Sequence, residues 1–199
     1  MVQKLDTLAE SASQTGGPYV HIGLIPTFAG LGGIYPEDLG KRAIEEGAQG
    51  EVITITGSVF DGTGWALRDA LIESWQPDAQ GRFPGQTGAD PKVNGFCRFA
   101  ADGQSGEFTL VTVKPGRVAM RGGGWQAPHV SLWVAARGIN VGLHTRVYFE
   151  DEDNSADPLL GRIEQRHRVQ TLIAKRIAPG QYRFDIRLQG EGETVFLDI

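Results

Sequence analysis

The sequence contains one cysteine and only four histidines among its 199 residues. Cys97 cannot form a disulfide within the chain, so a reducing cytoplasm is the compartment we expect. No two histidines stand at H-x-H or H-x-x-x-H spacing, which would pair metal ligands on one element. A G-x-S-x-G elbow, a phosphate-binding glycine loop and a CxxC pair are also absent. The residues by themselves therefore predict no self-contained active site.

Basic charge and long apolar runs are scarce as well. The chain has 19 basic and 24 acidic residues and a formal net charge of −5. Nucleic acids and anionic membranes both favour a basic surface, so neither is an expected partner. No stretch approaches the roughly 20 apolar residues that a membrane-spanning helix needs. The first fourteen residues lack the apolar core of a signal peptide, and we expect no secretory signal.

Glycine is abundant, with 28 residues, and it separates segments in which apolar and polar side chains alternate. Alternation with period two predicts strands, and glycine turns at this spacing are typical of a β-sandwich. The predicted strands lie in 51–60, 66–76, 96–102, 106–113, 128–136, 144–151, 181–190 and 193–199. A short helix is the competing prediction for 66–76. The pattern predicts an all-β sandwich of one domain with one or two short helices and long loops.

The segments between these strands are less regular. Residues 1–14 are predicted to be a polar lead-in, and 13–23 to be a turn or extended arm because of their glycines and proline. Residues 36–46 are predicted to form a short helix starting at proline, and 156–165 a helix capped by aspartate. The segment 77–95 has too many glycines and prolines for regular structure, and a loop that long indicates function or an interface.

The segment 114–134, KPGRVAMRGGGWQAPHVSLWV, resembles the metal-binding segment of the intradiol ring-cleavage dioxygenases. These are non-haem iron enzymes that open catechols. Other segments resemble the same family in the same order: SQTGGPYVHIG, ALIESWQPDAQGRF, ARGINVGLHTRVYFEDE and TLIAKR. The resemblance is to the α subunit of a two-chain member, whose iron lies in a sequence-related β subunit. It implies that the αβ pair cleaves 3,4-dihydroxybenzoate with O2 to 3-carboxy-cis,cis-muconate, in the β-ketoadipate route.

The family uses two tyrosines and two histidines as iron ligands, and this chain departs from that set. The four positions read Phe83, Val118, His129 and Ser131, while Gln126 replaces a substrate-side arginine. A neutral hydroxyl is a poor ligand for ferric iron, and one imidazole cannot hold a labile metal. The resemblance therefore implies that the partner β subunit binds Fe(III) and that this chain binds no metal. We expect apolar packing to fill the former metal cavity.

The resemblance gives the chain a second role, which is to line the substrate pocket of the β subunit. The matching positions are Thr15, Gly17, Pro18, Tyr19 and Arg137. A guanidinium suits the substrate carboxylate, and glycine lets backbone approach an aromatic ring closely. Arg137 could instead be an exposed turn residue, and Tyr19 a packed or intersubunit contact.

Residues 1–50 are accordingly predicted to be a partner-contacting arm with a short helix, and 51–199 the sandwich core. Two other functions stay open at this point. One is a stand-alone binding module that kept the scaffold and lost the enzymatic role, and the other is an independent enzyme of unrecognised chemistry.

Overall fold

The computed structural model describes residues 15–198, and among them nine strands form one mixed sheet. The predicted lead-in at 1–14 lies outside the described residues. The strands are β1 (Val52–Phe60), β2 (Leu71–Trp75), β3 (Phe96–Ala100), β4 (Glu107–Val113), β5 (Val118–Ala119), β6 (Trp125–Gln126), β7 (His129–Ala135), β8 (Leu143–Phe149), β9 (Ile173–Ala178), β10 (Gln181–Arg183) and β11 (Ile186–Arg187). The helices are α1 (Val20–Leu24) and α2 (Pro158–Arg162), with 3-10 turns at Gly17–Tyr19 and Arg166–Leu172.

The strand order is β11-β1-β10-β9-β8-β7-β2-β3, and β4 pairs with the free edge of β1. β1 runs parallel to β10 and β11, and β8 runs parallel to β9, whereas the other ladders of this sheet are antiparallel. β5 and β6 form a separate two-stranded hairpin. The sheet folds back on itself so that β3 approaches β4, which confirms the predicted sandwich of mixed topology.

The core lies between the two layers and explains why these segments are strands. Alternate residues of β1 and β7 point into it, and so do those of the segment around β10 and β11. The buried set includes Ile53, Ile55, Val59, Val130, Leu132, Val134, Tyr182, Phe184 and Ile186. Burying one such side chain stabilises the fold by about 1.5–3 kcal/mol. The period-two pattern is thus satisfied by one continuous core, and Cys97 packs within it as a free thiol whose pKa is raised to about 11 by burial.

The predicted helix at α2 is confirmed. Asp157 accepts hydrogen bonds from the backbone N–H groups of Leu159 and Leu160, as an N-cap residue does, and Pro158 occupies the first helical position. The long loop at 77–95 contains no helix or strand, as predicted. Buried Asp78 organises it by accepting hydrogen bonds from backbone N–H groups on both sides of the loop.

The predicted helix at 36–46 is wrong. Gly40 has φ +75°, outside the helical region, and a Cβ there would lie 2.5 Å from the ring of Phe96. Asp38 caps the N–H groups of Thr27 and Phe28, 2.8 Å each, so it holds a neighbouring turn. The segment is therefore an irregular strap fixed by tertiary contacts that the local sequence does not encode.

Three further predictions need correction. Residues 17–24 are helical and not extended, because Pro18 suits the first turn of the 3-10 segment that leads into α1. The last predicted strand, 193–199, forms only one isolated bridge between His144 and Leu197 in its described part. There the backbone N–H of Val195 donates to the Thr171 hydroxyl at 3.1 Å and not to a strand ladder. Only Leu71–Trp75 of the predicted strand 66–76 is extended.

The arm packs onto the sandwich and does not form a separate body. Val20 and Ile25 contact Leu71, Ala100 and Trp133 on the outer face of the sheet. Ala43 joins the main core, so the strap is anchored at two points. The division into an arm at 1–50 and a core at 51–199 stays a prediction. No helix in the described part of the chain is long and apolar enough to cross a membrane.

Candidate functional site

The positions that the family uses for iron ligands come together at one end of β7. The hairpin of β5 and β6 places Val118 directly opposite Gln126. The chain then passes through Ala127 and Pro128 into β7, where His129 is the first residue. Because side chains two residues apart share a face of a strand, His129 and Ser131 point to the same side of the sheet.

The flanking strands bring Phe83 to the same place. In the ladder, Ser131 lies opposite Trp75 of β2 on one side and Arg146 of β8 on the other. The Trp75 ring stacks on the ring of Phe83 with centroids 5.7 Å apart and planes inclined by 12°. An aromatic pair therefore fills the side of the site where the family has a tyrosinate.

Arg146 lies on the other side of Ser131 from Trp75, and it was not identified from the sequence. Its Nη1 donates a hydrogen bond to Oε1 of Gln126 at 2.7 Å, and a longer one to the hydroxyl of Tyr148 at 3.4 Å. The Tyr148 hydroxyl in turn donates to Asp157, the N-cap of α2, at 3.2 Å. Nε of Arg146 is buried without a partner among residues 15–198. The expected apolar filling of this cavity is therefore wrong in part, because a guanidinium and its hydrogen-bond acceptors occupy it.

His129 is held neutral in this setting. The residue is 3% exposed, and its Nδ1 lies 2.7 Å from the carbonyl oxygen of Ala127, a geometry in which a protonated Nδ1 donates. Burial, followed by the positive charge of Arg146, lowers its pKa from 6.5 to about 4. Burial also raises the pKa of the adjacent Tyr148 phenol, which therefore stays protonated. Nδ1 of the single remaining imidazole is thus engaged in a structural hydrogen bond.

Ferric iron does not fit these residues. Fe(III) needs several convergent anionic or imidazole donors. The four positions supply only the imidazole of His129, and the guanidinium of Arg146 lies beside it. Among residues 15–198 no group of three or more His, Cys, Asp and Glu side chains could hold a metal ion.

The residues predicted to line a substrate pocket converge at the other end of β7. The hydroxyl of Thr15 donates to the carbonyl oxygen of Ala136 at 3.2 Å and accepts from the N–H of Gly17 at 3.2 Å. These bonds hold the start of the arm beside the turn that carries Arg137. Tyr19 is 72% exposed, and Gly17 and Pro18 are half-buried in the 3-10 turn before it.

Arg137 is an exposed turn residue, yet it has a specific partner. Its Nε and Nη2 lie 2.7 Å and 2.6 Å from Oδ2 of Asp69, whose side chain is 7% exposed while that of Arg137 is 57% exposed. Hydrogen bonding to Asp69 raises the pKa of the guanidinium. Arg137 also lines an open cleft of about 410 Å³ together with Asp61, Ile139 and Leu188. Asp69 could not be identified from a local motif, because its link to Arg137 spans 68 residues.

Known proteins resemble the chain over nearly its whole length. A family model described as a dioxygenase matches residues 26–190. The protocatechuate 3,4-dioxygenase alpha chain of Pseudomonas putida is 46% identical over 199 residues, which cover 98% of each chain. The protocatechuate 3,4-dioxygenase beta chain of Burkholderia cepacia is 28% identical over 172 residues, which cover 79% of this chain and 73% of that one.

A solved structure extends the likeness to the fold. The hydroxyquinol 1,2-dioxygenase of Pseudomonas putida DLL-E4 superimposes with a TM-score of 0.59 at 18% identity, over 78% of this chain and 63% of that longer one. The family resemblance carried by the sequence motifs is thereby confirmed. The chain belongs to the intradiol ring-cleavage dioxygenase family.

Proposed function

We propose that the chain is the iron-free α subunit of a cytoplasmic protocatechuate 3,4-dioxygenase. With an iron-bearing β subunit it takes part in opening 3,4-dihydroxybenzoate between its two hydroxylated carbons. Both atoms of O2 enter the product, 3-carboxy-cis,cis-muconate. The observation that carries the proposal is a family fold in which the positions matched to iron ligands hold Phe83, Val118 and Ser131, with Arg146 beside Ser131. A member of this family with such a site needs a partner to supply Fe(III).

The arm is the proposed contact with that partner. Residues 24–39 expose a run of large apolar side chains on an irregular backbone. They are Leu24, Phe28, Leu31, Ile34, Tyr35 and Leu39. Exposed apolar surface of this extent is typical of protein interfaces, and obligate interfaces are the most apolar. The relatedness of a β chain to this chain supports a partner of the same fold.

The residues proposed to bind substrate lie at the C-terminal end of β7. Arg137 presents a guanidinium that can pair with the carboxylate of 3,4-dihydroxybenzoate in a charge-assisted hydrogen bond. Gly17 and Pro18 offer a surface with little side-chain bulk beside it, and Tyr19 extends outward from the same turn. Since Thr15 fastens this turn to Ala136, the arm and Arg137 approach the partner as one surface.

Co-expression with a β chain that carries both tyrosines and both histidines tests the proposal. We expect the two chains to purify together, to contain iron and to consume O2 with 3,4-dihydroxybenzoate, while this chain alone does none of these. The matched control is the β chain expressed alone. If it is fully active and this chain does not associate with it, the chain is a stand-alone binding module instead.

A further inference from the structure

We propose that Asp69 is a positioning residue that orients the Arg137 guanidinium toward the substrate carboxylate. The inference rests on the proposed function and adds a second residue to it. Asp69 lies in the turn that leads into β2, and Arg137 in the turn that follows β7. The last ladder pair between these strands is Leu71 with Ala135, so each residue stands two positions beyond it. The antiparallel register therefore sets the two side chains opposite each other on one face.

The unequal burial of the pair indicates which partner is fixed. Asp69 is 5% exposed as a residue and sits where the chain enters a central strand, whereas the Arg137 side chain is 57% exposed. An exposed ion pair contributes little to stability, and a buried carboxylate is costly to desolvate. A buried acid beside an exposed arginine is thus a poor stabilising device. It is well suited to holding a flexible side chain in one orientation.

The hydrogen bonds leave part of the guanidinium free for a ligand. Nε donates a hydrogen bond to Oδ2 of Asp69 and Nη2 lies 2.6 Å from the same oxygen, which leaves the Nη1 side of the fork turned away from the carboxylate. Arginine loses considerable rotamer entropy when it is immobilised. An arginine that is already ordered by Asp69 loses less when substrate binds, and this pre-organisation improves affinity.

The experiment is a double-mutant cycle in the αβ complex. We expect Asp69→Ala to raise KM for 3,4-dihydroxybenzoate by about 2- to 12-fold, the range that corresponds to ordering one rotamer-rich side chain. Its kcat should change little, because the carboxylate is remote from the reacting carbons. Turnover of catechol, which has no carboxylate, should also change little. In the Arg137→Ala background, Asp69→Ala should not raise KM further.

Asp69→Glu keeps a carboxylate and should recover part of the loss, while Glu193→Ala breaks an Arg168–Glu193 pair of similar distance and should leave KM unchanged. A second readout is the 15N relaxation of the Arg137 Nε–H group in the complex, which should report greater mobility in Asp69→Ala. An unchanged or lower KM in Asp69→Ala, or an equal loss in the Arg137→Ala background, overturns the positioning role. Failure of the proposed function looks different, because the wild-type complex would then not cleave 3,4-dihydroxybenzoate.

Discussion

Arg146 donates a hydrogen bond over 2.7 Å to Gln126, and this contact joins the two sides of the former metal cavity. The same guanidinium lies across the ladder from Ser131 and near Tyr148, which links it to the N-cap of α2 through Asp157. A cation with its hydrogen-bond acceptors thus lies beside the positions that the resemblance matches to iron ligands.

The first prediction is that the isolated chain binds no stoichiometric iron. Phe83 and Val118 offer no donor atom, the Ser131 hydroxyl is a poor ligand when neutral, and His129 supplies a single imidazole nitrogen because its Nδ1 is bonded to Ala127. Ferric tyrosinate has a visible charge-transfer band, so metal analysis and absorbance spectroscopy of the purified chain test this together. Stoichiometric iron accompanied by that band would contradict the assignment of the ligand positions.

The second prediction is that Arg146 blocks recovery of a metal site. Ser131→His alone should yield neither iron binding nor ring cleavage by the isolated chain. The triple variant Phe83→Tyr, Val118→Tyr and Ser131→His should bind Fe(III) weakly, and adding Arg146→Gln should tighten binding. Two unit charges ~5 Å apart repel by about 3 kcal/mol at an effective dielectric constant of about 20, or roughly 100-fold in affinity.

Equilibrium titration with Fe(III), followed by the charge-transfer band, measures the effect. Arg168→Gln in the triple background is the matched control, because this arginine pairs with Glu193 outside the cavity. Equal iron affinity with and without Arg146→Gln would show that the guanidinium is not the obstacle.

Local patterning was enough to predict much of the fold. Period-two alternation predicted the strands β1 and β7, and Asp157 followed by Pro158 predicted the start of α2. The strap at 36–46 could not be predicted in this way. Asp38 and Gly40 take their conformations from Thr27, Phe28 and the Phe96 ring, which are distant in sequence.

The site shows the same limit. The motifs identified its residues, since the ligand positions and Arg137 are marked by the segments around them. The partners that determine their chemistry are Arg146 for Gln126 and Asp69 for Arg137, at separations of 20 and 68 residues. The Asp69–Arg137 pair follows from the register of β2 and β7, and the Arg146–Gln126 pair joins the main sheet to the separate hairpin; a local pattern specifies neither. Apolar packing was therefore expected at these positions, and the guanidinium of Arg146 was not.

The third prediction concerns the pH dependence of stability. His129 has a pKa of about 4 in the folded chain and about 6.5 when unfolded. Between these values the unfolded state binds more protons, so stability is full above pH 6.5 and falls as the pH drops toward 4. The loss attributable to this group is on the order of 3 kcal/mol. Urea unfolding of wild type and His129→Asn from pH 7 to 4 should show a shallower slope in the variant. Parallel slopes would contradict a buried neutral imidazole.

The fourth prediction is that the exposed apolar arm holds the partner. Ile34→Asp and Leu39→Asp should each weaken the αβ complex by about tenfold or more, because a buried charge replaces apolar contact at the interface. Ile177→Asp is the matched control, since Ile177 is similarly exposed but lies on β9. Sedimentation equilibrium gives the dissociation constants. If the arm variants and the control behave alike, the partner binds elsewhere.

The last prediction is that Arg137→Ala weakens use of 3,4-dihydroxybenzoate by the αβ complex. A hydrogen bond to a charged group contributes about 1.5–3 kcal/mol, so kcat/KM should fall by roughly 10- to 150-fold. Most of the change should appear in KM, because the carboxylate is bound alike in the ground and transition states. Catechol has no carboxylate, and its slower turnover should be nearly unchanged.

Arg137→Ala also strips the buried Asp69 of its partner, so Asp69→Ala/Arg137→Ala is measured beside it to remove that effect. Arg137→Lys keeps the charge without the planar fork and should lie between wild type and Arg137→Ala. The decisive quantity is the ratio of kcat/KM for 3,4-dihydroxybenzoate to that for catechol in each variant. If the guanidinium binds the substrate carboxylate, this ratio falls in Arg137→Ala and in the double variant alike. If instead both substrates lose equally, Arg137 supports the interface, and the carboxylate is bound by another group.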